Sequence, residues 1–154
     1  MLLFLDFDGV CHPERSDVDQ FFRRSELVLE PWLRQRPDVE VVISSSWRET
    51  YSMTEMREFF SDDLKSRFIS STPVFRRDEC AQRDGEPVPE RHEREAEIRR
   101  WLHQSAAPSR PWVALDDQPW RFKSSCKTLV VCDGRVGLTE RELELVDEVL
   151  RSPS

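Results

Sequence analysis

Four short apolar runs recur along the chain, and each of them predicts a buried β-strand. The runs lie at residues 2–7, 39–43, 112–115 and 128–132, and a shorter strand is expected near Phe68. Their apolar positions are continuous and do not alternate with polar ones, which is typical of parallel strands covered on both faces. The pattern therefore predicts one parallel sheet.

Amphipathic segments between these runs predict the helices. We expect a short helix from Ser25, a second from about Glu49 to Phe60, a third over residues 90–104 and a last one ending near Leu150. The last helix follows a Thr-Glu-Arg-Glu sequence that begins at Thr139, which is a capping box. Strands that alternate with helices predict an α/β fold, a three-layer α/β/α arrangement around a Rossmann-like parallel sheet.

The length of 154 residues suits a single domain, which we expect to cover residues 1–154. Residues 61–90 carry Pro73, Gly85, Pro87 and Pro89 and show little periodicity, so we expect an irregular insertion that could form a small lid.

Composition and charge narrow the function classes. The net charge of −7 argues against non-specific coating of nucleic acids, which depends on Lys and Arg. No apolar run reaches the length of roughly 20 residues that spans a membrane. The start of the chain lacks the basic segment of a signal peptide, so we expect a cytoplasmic protein. The four Cys and three His are too scattered to indicate a zinc site.

Polar side chains follow three of the predicted strands at the point where each strand ends. They are Asp6 and Asp8, the serines at 44–46, and Asp116 and Asp117. Because the carboxyl ends of parallel strands meet at one edge of the sheet, we expect these side chains to converge there. Four clustered carboxylates repel one another unless a cation lies between them, and oxygen donors without His or Cys favour Mg²⁺. The alternative is that the pair Asp116-Asp117 only caps the following turn.

The same residues carry a family resemblance. LFLDFDGV, VVISSSW, an Arg on the helix before the strand at 112–115, and VALDD resemble the four motifs of the haloacid dehalogenase (HAD) superfamily of phosphohydrolases. They occur in the order of that superfamily over residues 2–117. In addition, SSSWR, RxxEIxxWL, LDD and VGLT are similar to a narrower group, the small HAD domains of Swiss Army knife RNA-repair proteins.

The resemblance implies an Mg²⁺-dependent phosphatase that works through an aspartyl-phosphate intermediate. Asp6 would be the nucleophile, and Asp8 would act as general acid and then as general base. Gly9 would let backbone N–H groups approach the phosphate. Ser44 would donate a hydrogen bond to a phosphate oxygen. Ser45 and Ser46 are alternatives for this contact, and one of the three serines is also expected to cap the next helix.

The resemblance also implies a cation and a metal site. Arg94 would neutralise charge on the transferred phosphoryl group, with Arg91 as the second choice. Arg48 could pair with a phosphate, and its neighbour Trp47 could either stack on a base or pack under the following helix. Asp6, the backbone carbonyl of Asp8 and Asp116 would bind Mg²⁺, with Asp117 acting through water or as a support.

The insertions that build a cap domain in many members of the superfamily are short here, at residues 11–24 and 61–90. We therefore expect a minimal cap or none, and an open site for a large phosphate ester such as the terminal phosphate of RNA or of a nucleotide. Two alternatives remain. One is a phosphatase of small metabolites such as sugar phosphates, and the other is a catalytically weak partner-binding protein of an RNA-processing complex.

Overall fold

Five parallel strands form a single sheet in the computed structural model, which describes residues 1–75 and 92–152. The predicted strands, including the short one at Phe68, are confirmed. The strands are β1 (Leu2–Leu5), β2 (Glu40–Ile43), β3 (Phe68–Ser71), β4 (Trp112–Asp116) and β5 (Leu129–Val131). Their order is β3-β2-β1-β4-β5, with every neighbouring pair parallel.

Helices cover both faces of this sheet, as predicted. They are α1 (Glu30–Arg34), which continues a π-helical turn at Ser25–Leu29, α2 (Met53–Arg57), α3 (Glu93–Gln104) and α4 (Glu140–Arg151). The predicted capping box of α4 is present, since Thr139 and Glu142 exchange hydrogen bonds between side chain and backbone.

The two faces alternate along β1. Leu2 and Phe4 pack with Ile98 and Leu102 of α3 in one cluster. Leu3 and Leu5 belong to a larger cluster on the other face, together with buried residues of α1, α2 and α4 (Trp32, Leu33, Met56, Leu143, Val146 and Leu150). The result is a three-layer α/β/α fold.

The helix predicted from Glu49 to Phe60 is wrong in its extent. The chain forms a 3-10 turn at Ser46–Glu49 and then the separate, shorter helix α2. The break is stabilised at Ser52, whose side chain accepts a hydrogen bond from the Glu55 backbone while the Glu55 side chain accepts one from the Ser52 backbone. This Ser-Met-Thr-Glu capping box begins a new helix at Met53, so the single continuous helix that the apolar spacing predicted does not form.

The strand order places a topological switch between β1 and β4. The chain builds β2 and β3 on one side of β1 and then returns to place β4 on the other side. Ligands of such sheets bind beyond the carboxyl ends of the strands at the switch. Residues 76–91, which include Arg91 and the second half of the predicted insertion and lid, lie outside the described residues, whereas residues 62–71 form a 3-10 helix followed by β3.

Candidate active site

Four elements deliver polar side chains to the switch between β1 and β4. Asp6 and Asp8 follow β1, the serine motif follows β2, Asp116 ends β4 with Asp117 next to it, and Arg94 lies in the first turn of α3. Strand β1 pairs with both neighbours at its last residue, where Leu5 lies opposite Ile43 and Leu115. The convergence that the sequence predicted is therefore built by the register of the three central strands.

Three carboxylates form a compact cluster at this edge. Asp6, Asp116 and Asp117 each offer one oxygen, and these oxygens lie within 4.8 Å of one another. Asp6 and Asp116 are buried, and Asp117 is partly exposed. The Asp117 Oδ1 atom is buried and has no hydrogen-bond partner among the described residues.

The electrostatics of the cluster fit a site for a hard cation. Burial and the neighbouring Asp6 carboxylate raise the pKa of Asp116 to about 7, from an ordinary value of 3.8. The same two causes raise the pKa of Asp117 to about 6. Crowded carboxylates with an unpartnered oxygen would be stabilised in the charged form by a divalent cation, and oxygen-only donors suit Mg²⁺. The Asp8 carboxylate lies outside this cluster, so only its backbone carbonyl remains a candidate ligand.

Arg94 is a buried cation beside these carboxylates. Its Nη1 atom lies 3.0 Å from Asp116 Oδ2 and 3.4 Å from Asp6 Oδ1, and the side chain is only 1% exposed. Burial alone would lower the pKa of Arg94, but attraction to Asp6, Asp116 and Glu97 outweighs it and raises the pKa. Arg94 is therefore the described arginine that fits the predicted cation, while Arg91 lies in the segment that is not described.

The serines at 44–46 differ in position and in role: one caps the next turn and another lies next to Asp6 in the sheet register. Ser45 accepts a hydrogen bond from the Trp47 backbone and caps the 3-10 turn that follows, which is the capping that we expected of one of the serines. Ser44 is buried directly at the end of β2, and its N–H donates to the Leu5 carbonyl. Ser46 is exposed. Of the three, Ser44 lies nearest in the sheet register to Asp6, because Ile43 is paired with Leu5.

Arg48 has a structural role in place of the predicted phosphate contact. Its guanidinium donates to Ser44, Ser45, Thr72 and Pro73 carbonyls and to the Glu97 carboxylate, at 2.6–3.4 Å. These five bonds engage all five N–H groups of the side chain, which is almost fully buried. The prediction that Arg48 contacts substrate is therefore replaced: the residue fastens the serine loop to β3 and α3.

Asp8 is held by two aromatic residues that sequence reasoning did not connect with it. His12 Nε2 lies 2.9 Å from Asp8 Oδ1, and Trp47 Nε1 donates to Asp8 Oδ2 at 2.9 Å. The hydrogen bond with His12, assisted by that from Trp47, holds the pKa of Asp8 below its ordinary value although burial opposes this. Both carboxylate oxygens are thus fixed in direction, while the side chain remains 46% exposed.

Two glycines enclose the Asp117 carboxylate. A Cβ atom on Gly9 would lie 2.2 Å from Asp117 Oδ2, and one on Gly134 would lie 2.5 Å from the same oxygen. Gly9 also has a φ of +75°, a conformation that side chains disfavour. The predicted role of Gly9 in bringing backbone N–H groups to phosphate stays a prediction. Gly134 was not predicted, because nothing near residue 134 marks a contact with residue 117.

Comparison with known proteins adds a family to this geometry. The model of the family described as "HAD domain in Swiss Army Knife RNA repair proteins" matches residues 2–143, which include every site residue named above. A search of the curated proteins found no match to the chain. Among the described residues, no helix is both long and apolar enough to cross a membrane.

Proposed function

We propose that this chain, which belongs to the family of HAD domains in Swiss Army Knife RNA repair proteins, is an Mg²⁺-dependent phosphatase. Membership of the HAD superfamily indicates phosphohydrolase-type chemistry. The observation that carries the proposal is the separation of two Asp residues after β1. Asp6 belongs to the buried carboxylate cluster with Arg94, whereas Asp8 lies outside the cluster and is bound by His12 and Trp47.

Asp6 supplies the nucleophile. Its Oδ1 accepts a hydrogen bond from the Phe7 backbone at 2.9 Å and lies beside Arg94, which leaves Oδ2 to attack phosphorus. A bond forms between Oδ2 and phosphorus while the bond from phosphorus to the leaving oxygen breaks, and Asp8 donates a proton to that oxygen. Asp8 takes up this proton when substrate binds, because the negative charge of the phosphate raises the pKa that His12 and Trp47 lower in the free protein. The product of this step is an aspartyl-phosphate and a free alcohol.

Water completes the cycle. Asp8, now a carboxylate, takes a proton from a water molecule, and the oxygen of that water attacks the phosphorus of the aspartyl-phosphate. The bond from phosphorus to Asp6 breaks, so inorganic phosphate leaves and both carboxyl groups return to their starting states. Ser44 donates a hydrogen bond to a phosphate oxygen, and Arg94 offsets the negative charge on Asp6 and on the phosphoryl group.

The residues that would hold Mg²⁺ are Asp6, Asp116 and the backbone carbonyl of Asp8, with Asp117 acting through water or as a support. When bound, Mg²⁺ neutralises carboxylate and phosphate charge so that the anionic substrate approaches Asp6. The fit is supported by the three converging oxygens and by the unpartnered Asp117 Oδ1.

The proposed substrate is a large or exposed phosphate ester, such as the terminal phosphate of RNA or of a nucleotide. The exposed side chain of Asp8 supports an open approach for the leaving group, since Asp8 is the residue that protonates it. The description of the family supports RNA ends in particular.

The mechanism is tested by phosphate release with Mg²⁺ from glycerol phosphate, a nitrophenyl phosphate and phosphorylated oligonucleotides. We expect Asp6→Asn to lower the rate by about a thousandfold or more, because loss of a covalent nucleophile costs orders of magnitude. Asp38→Asn is the matched control, since Asp38 is an exposed residue before the start of β2 at the opposite edge of the sheet. Undiminished activity of Asp6→Asn would refute the mechanism.

Substrate profiling separates the alternatives. Rapid turnover of free sugar phosphates without activity on oligonucleotide ends would favour a phosphatase of small metabolites. A folded, Mg²⁺-binding protein that turns over no phosphate ester in the panel would favour the partner-binding alternative.

A further inference from the structure

An aromatic cluster adjoins the Asp8 carboxylate, and two of its rings are exposed. Phe21 is 43% exposed and Tyr51 is 41% exposed. Both rings contact Trp47, at centroid distances of 5.7 Å and 5.5 Å, and both contact Phe59. Trp47 lies between them, so the three rings form a strip at the surface.

Phe21 is the outermost ring of the cluster. It stacks on His12 at 5.0 Å and on Trp47 at 5.7 Å, with an interplanar angle of 28° in both pairs. Phe21 also contacts the rings of Phe22 and Phe59 edge-on, at centroid distances of 5.0 Å and 5.7 Å. The exposed part of Phe21 is the surface that these four ring partners leave open to solvent.

The backbone maintains this arrangement. Phe22 adopts a φ of +54°, in the left-handed region that a bulky residue rarely occupies. The two consecutive phenylalanines therefore lie in different environments. Phe22 is buried in the cluster, whereas Phe21 lies at its surface. The strained residue is the buried Phe22, next to the exposed Phe21, and backbone strain of this kind is concentrated at functional sites.

The aromatic strip lies next to Asp8, the residue that protonates the leaving group in the proposed reaction. His12 and Trp47, on which Phe21 stacks, are the two residues that bind the Asp8 oxygens. Asp8 protonates the leaving oxygen in the proposed reaction, so the group attached to that oxygen lies on the side of Asp8 and its two ring partners. In a nucleotide one sugar unit separates the base from the ester oxygen. In this protein the ring of His12 or of Trp47 separates Phe21 from the Asp8 carboxylate.

We propose that the exposed rings of Phe21 and Tyr51, both of which contact Trp47, bind the nucleobase of the nucleotide that carries the terminal phosphate. This inference rests on the proposed phosphatase function and specifies its substrate. A flat aromatic surface accepts any base, because every base has a π-face, so the site selects nucleotides over sugar phosphates without selecting a sequence. The partly buried Trp47 contributes mainly by support and by its bond to Asp8.

The test compares two oligonucleotides that differ only in the terminal nucleotide, which is intact in one and abasic in the other. Both are prepared with the terminal phosphate at either end of the strand, and kcat/KM for phosphate release is measured with Mg²⁺. Stacking of one base contributes a factor of about 5 to 150 in affinity, so we expect the intact substrate to be preferred by about tenfold or more. In Phe21→Ala that preference should fall to nearly one.

Two further variants separate stacking from apolar contact and from misfolding. Phe21→Trp keeps a flat ring and should retain the preference, whereas Phe21→Leu keeps apolar volume without a ring and should lose most of it. Leu145→Ala is the matched control, since Leu145 is an exposed apolar residue on the C-terminal helix. Calorimetric titration of the Asp6→Asn protein with a nucleoside monophosphate and with ribose phosphate gives a readout that needs no turnover.

The outcomes distinguish the inference from its premise. If the unmodified protein releases phosphate from neither oligonucleotide but does so from glycerol phosphate or nitrophenyl phosphate, the base site is overturned while the phosphatase function stands. If it releases phosphate from none of these esters, the phosphatase function itself is overturned. If it releases phosphate from both at equal kcat/KM, or if the preference for the intact substrate survives in both Phe21→Ala and Phe21→Leu, the base site is overturned while the phosphatase function stands.

Discussion

Arg94 Nη1 lies 3.0 Å from Asp116 Oδ2, so a buried guanidinium joins the first turn of α3 to the end of β4. The same atom is 3.4 Å from the proposed nucleophile Asp6. One cation therefore compensates two carboxylates in the interior, where each charge would be costly alone. This contact ties the stability of the domain to the charge balance of its site.

Replacement of Arg94 should reduce both stability and activity. Arg94→Met leaves Asp6 and Asp116 buried without their cation, and removing one partner from a buried pair costs about 3–5 kcal/mol. Phosphate release should fall by at least about a hundredfold, a typical loss when an electrostatic contact to the transition state is removed. Arg94→Lys should be intermediate, because an ammonium keeps the charge but lacks the fork that reaches both carboxylates. Urea denaturation and steady-state kinetics measure the two effects.

Arg34→Met is the control for this prediction. Arg34 pairs with the exposed Asp63 at 2.8 Å and with Glu30 at 3.4 Å, and its exposed guanidinium is screened by water, so its loss should cost much less than the loss of the buried Arg94 pairs. We expect a small change in stability and none in activity. An Arg94→Met protein that matched Arg34→Met in both measurements would show that the buried cation is unimportant.

Gly9→Ala should raise the Mg²⁺ concentration that gives half-maximal activity, and it should also lower the stability of the domain. The new Cβ would lie 2.2 Å from Asp117 Oδ2 and displace that carboxylate, and the φ of +75° adds backbone strain of roughly 1–2 kcal/mol. Gly134→Ala meets the same oxygen at 2.5 Å without a positive φ, so it should affect Mg²⁺ dependence with a smaller loss of stability. The Mg²⁺ concentration for half-maximal activity and the midpoint of urea denaturation measure these effects.

Gly137→Ala separates the two causes. Gly137 has a φ of +85°, but its Cβ would meet Arg24 and the Val10 carbonyl, and Asp117 is not among its nearest contacts. This variant should lose stability and keep its Mg²⁺ dependence. Equal Mg²⁺ dependence in all three glycine variants and the unmodified protein would contradict the proposed role of the Asp117 carboxylate.

The strands and the core of the site were predictable because their signals are local. A buried parallel strand is a continuous apolar run, and the carboxyl ends of such strands meet at one edge whatever the loops do. Asp6, Ser44 and Asp116 could therefore be placed together from three separate runs. Arg94 was expected from the resemblance to the HAD family, because it begins the RxxEI pattern on the helix before the strand that carries Asp116.

The contacts that the sequence did not predict depend on where loops return in space. His12 reaches Asp8 because the backbone N–H groups of Val10 and Cys11 both donate to the Phe7 carbonyl and close a tight turn. Arg48 has a long side chain whose five partners come from three separate segments of the chain. The sequence places the charge of Arg48 beside the serine motif. It does not indicate whether the guanidinium contacts substrate or is buried in the interior.

His12→Phe should lower kcat while leaving stability nearly unchanged. Phenylalanine preserves the ring contacts with Phe21 and Phe22 but removes the hydrogen bond that orients the Asp8 carboxylate. We expect a fall in kcat of about tenfold or more, a part of the factor of 10²–10⁴ that general acid catalysis supplies. His12→Gln places a nitrogen donor near the position of Nε2 and should recover part of the rate.

The leaving group provides the check on that interpretation of His12. Glycerol phosphate has a poor leaving group that needs protonation, whereas nitrophenolate leaves without a proton. The loss in His12→Phe should therefore be larger with glycerol phosphate than with nitrophenyl phosphate. Equal losses on the two substrates, or a change confined to KM, would show that His12 does not act through Asp8.

The carboxylate cluster predicts that stability falls with rising pH in the absence of a divalent cation, and that a bound cation reduces or reverses this fall. The pKa values of about 7 for Asp116 and about 6 for Asp117 exceed the ordinary value of 3.8. Between about pH 4 and pH 7 these two carboxyl groups, in the absence of metal, therefore bind more protons in the folded protein than in the unfolded chain. The free energy of unfolding then decreases as the pH rises through this window, because stability rises with pH only where the unfolded state binds more protons.

Thermal denaturation between pH 5 and pH 8, in chelator and in saturating Mg²⁺, tests this sign. In chelator the melting temperature should fall as the pH rises. In Mg²⁺ the fall should be reduced or reversed, because the cation binds the deprotonated carboxylates of the folded state and its apparent affinity increases with pH. Asp116→Asn removes the buried charge, so it should flatten the curve in chelator and abolish the response to Mg²⁺. Parallel curves with and without Mg²⁺ in the unmodified protein would mean that these three carboxylates do not form a divalent cation site.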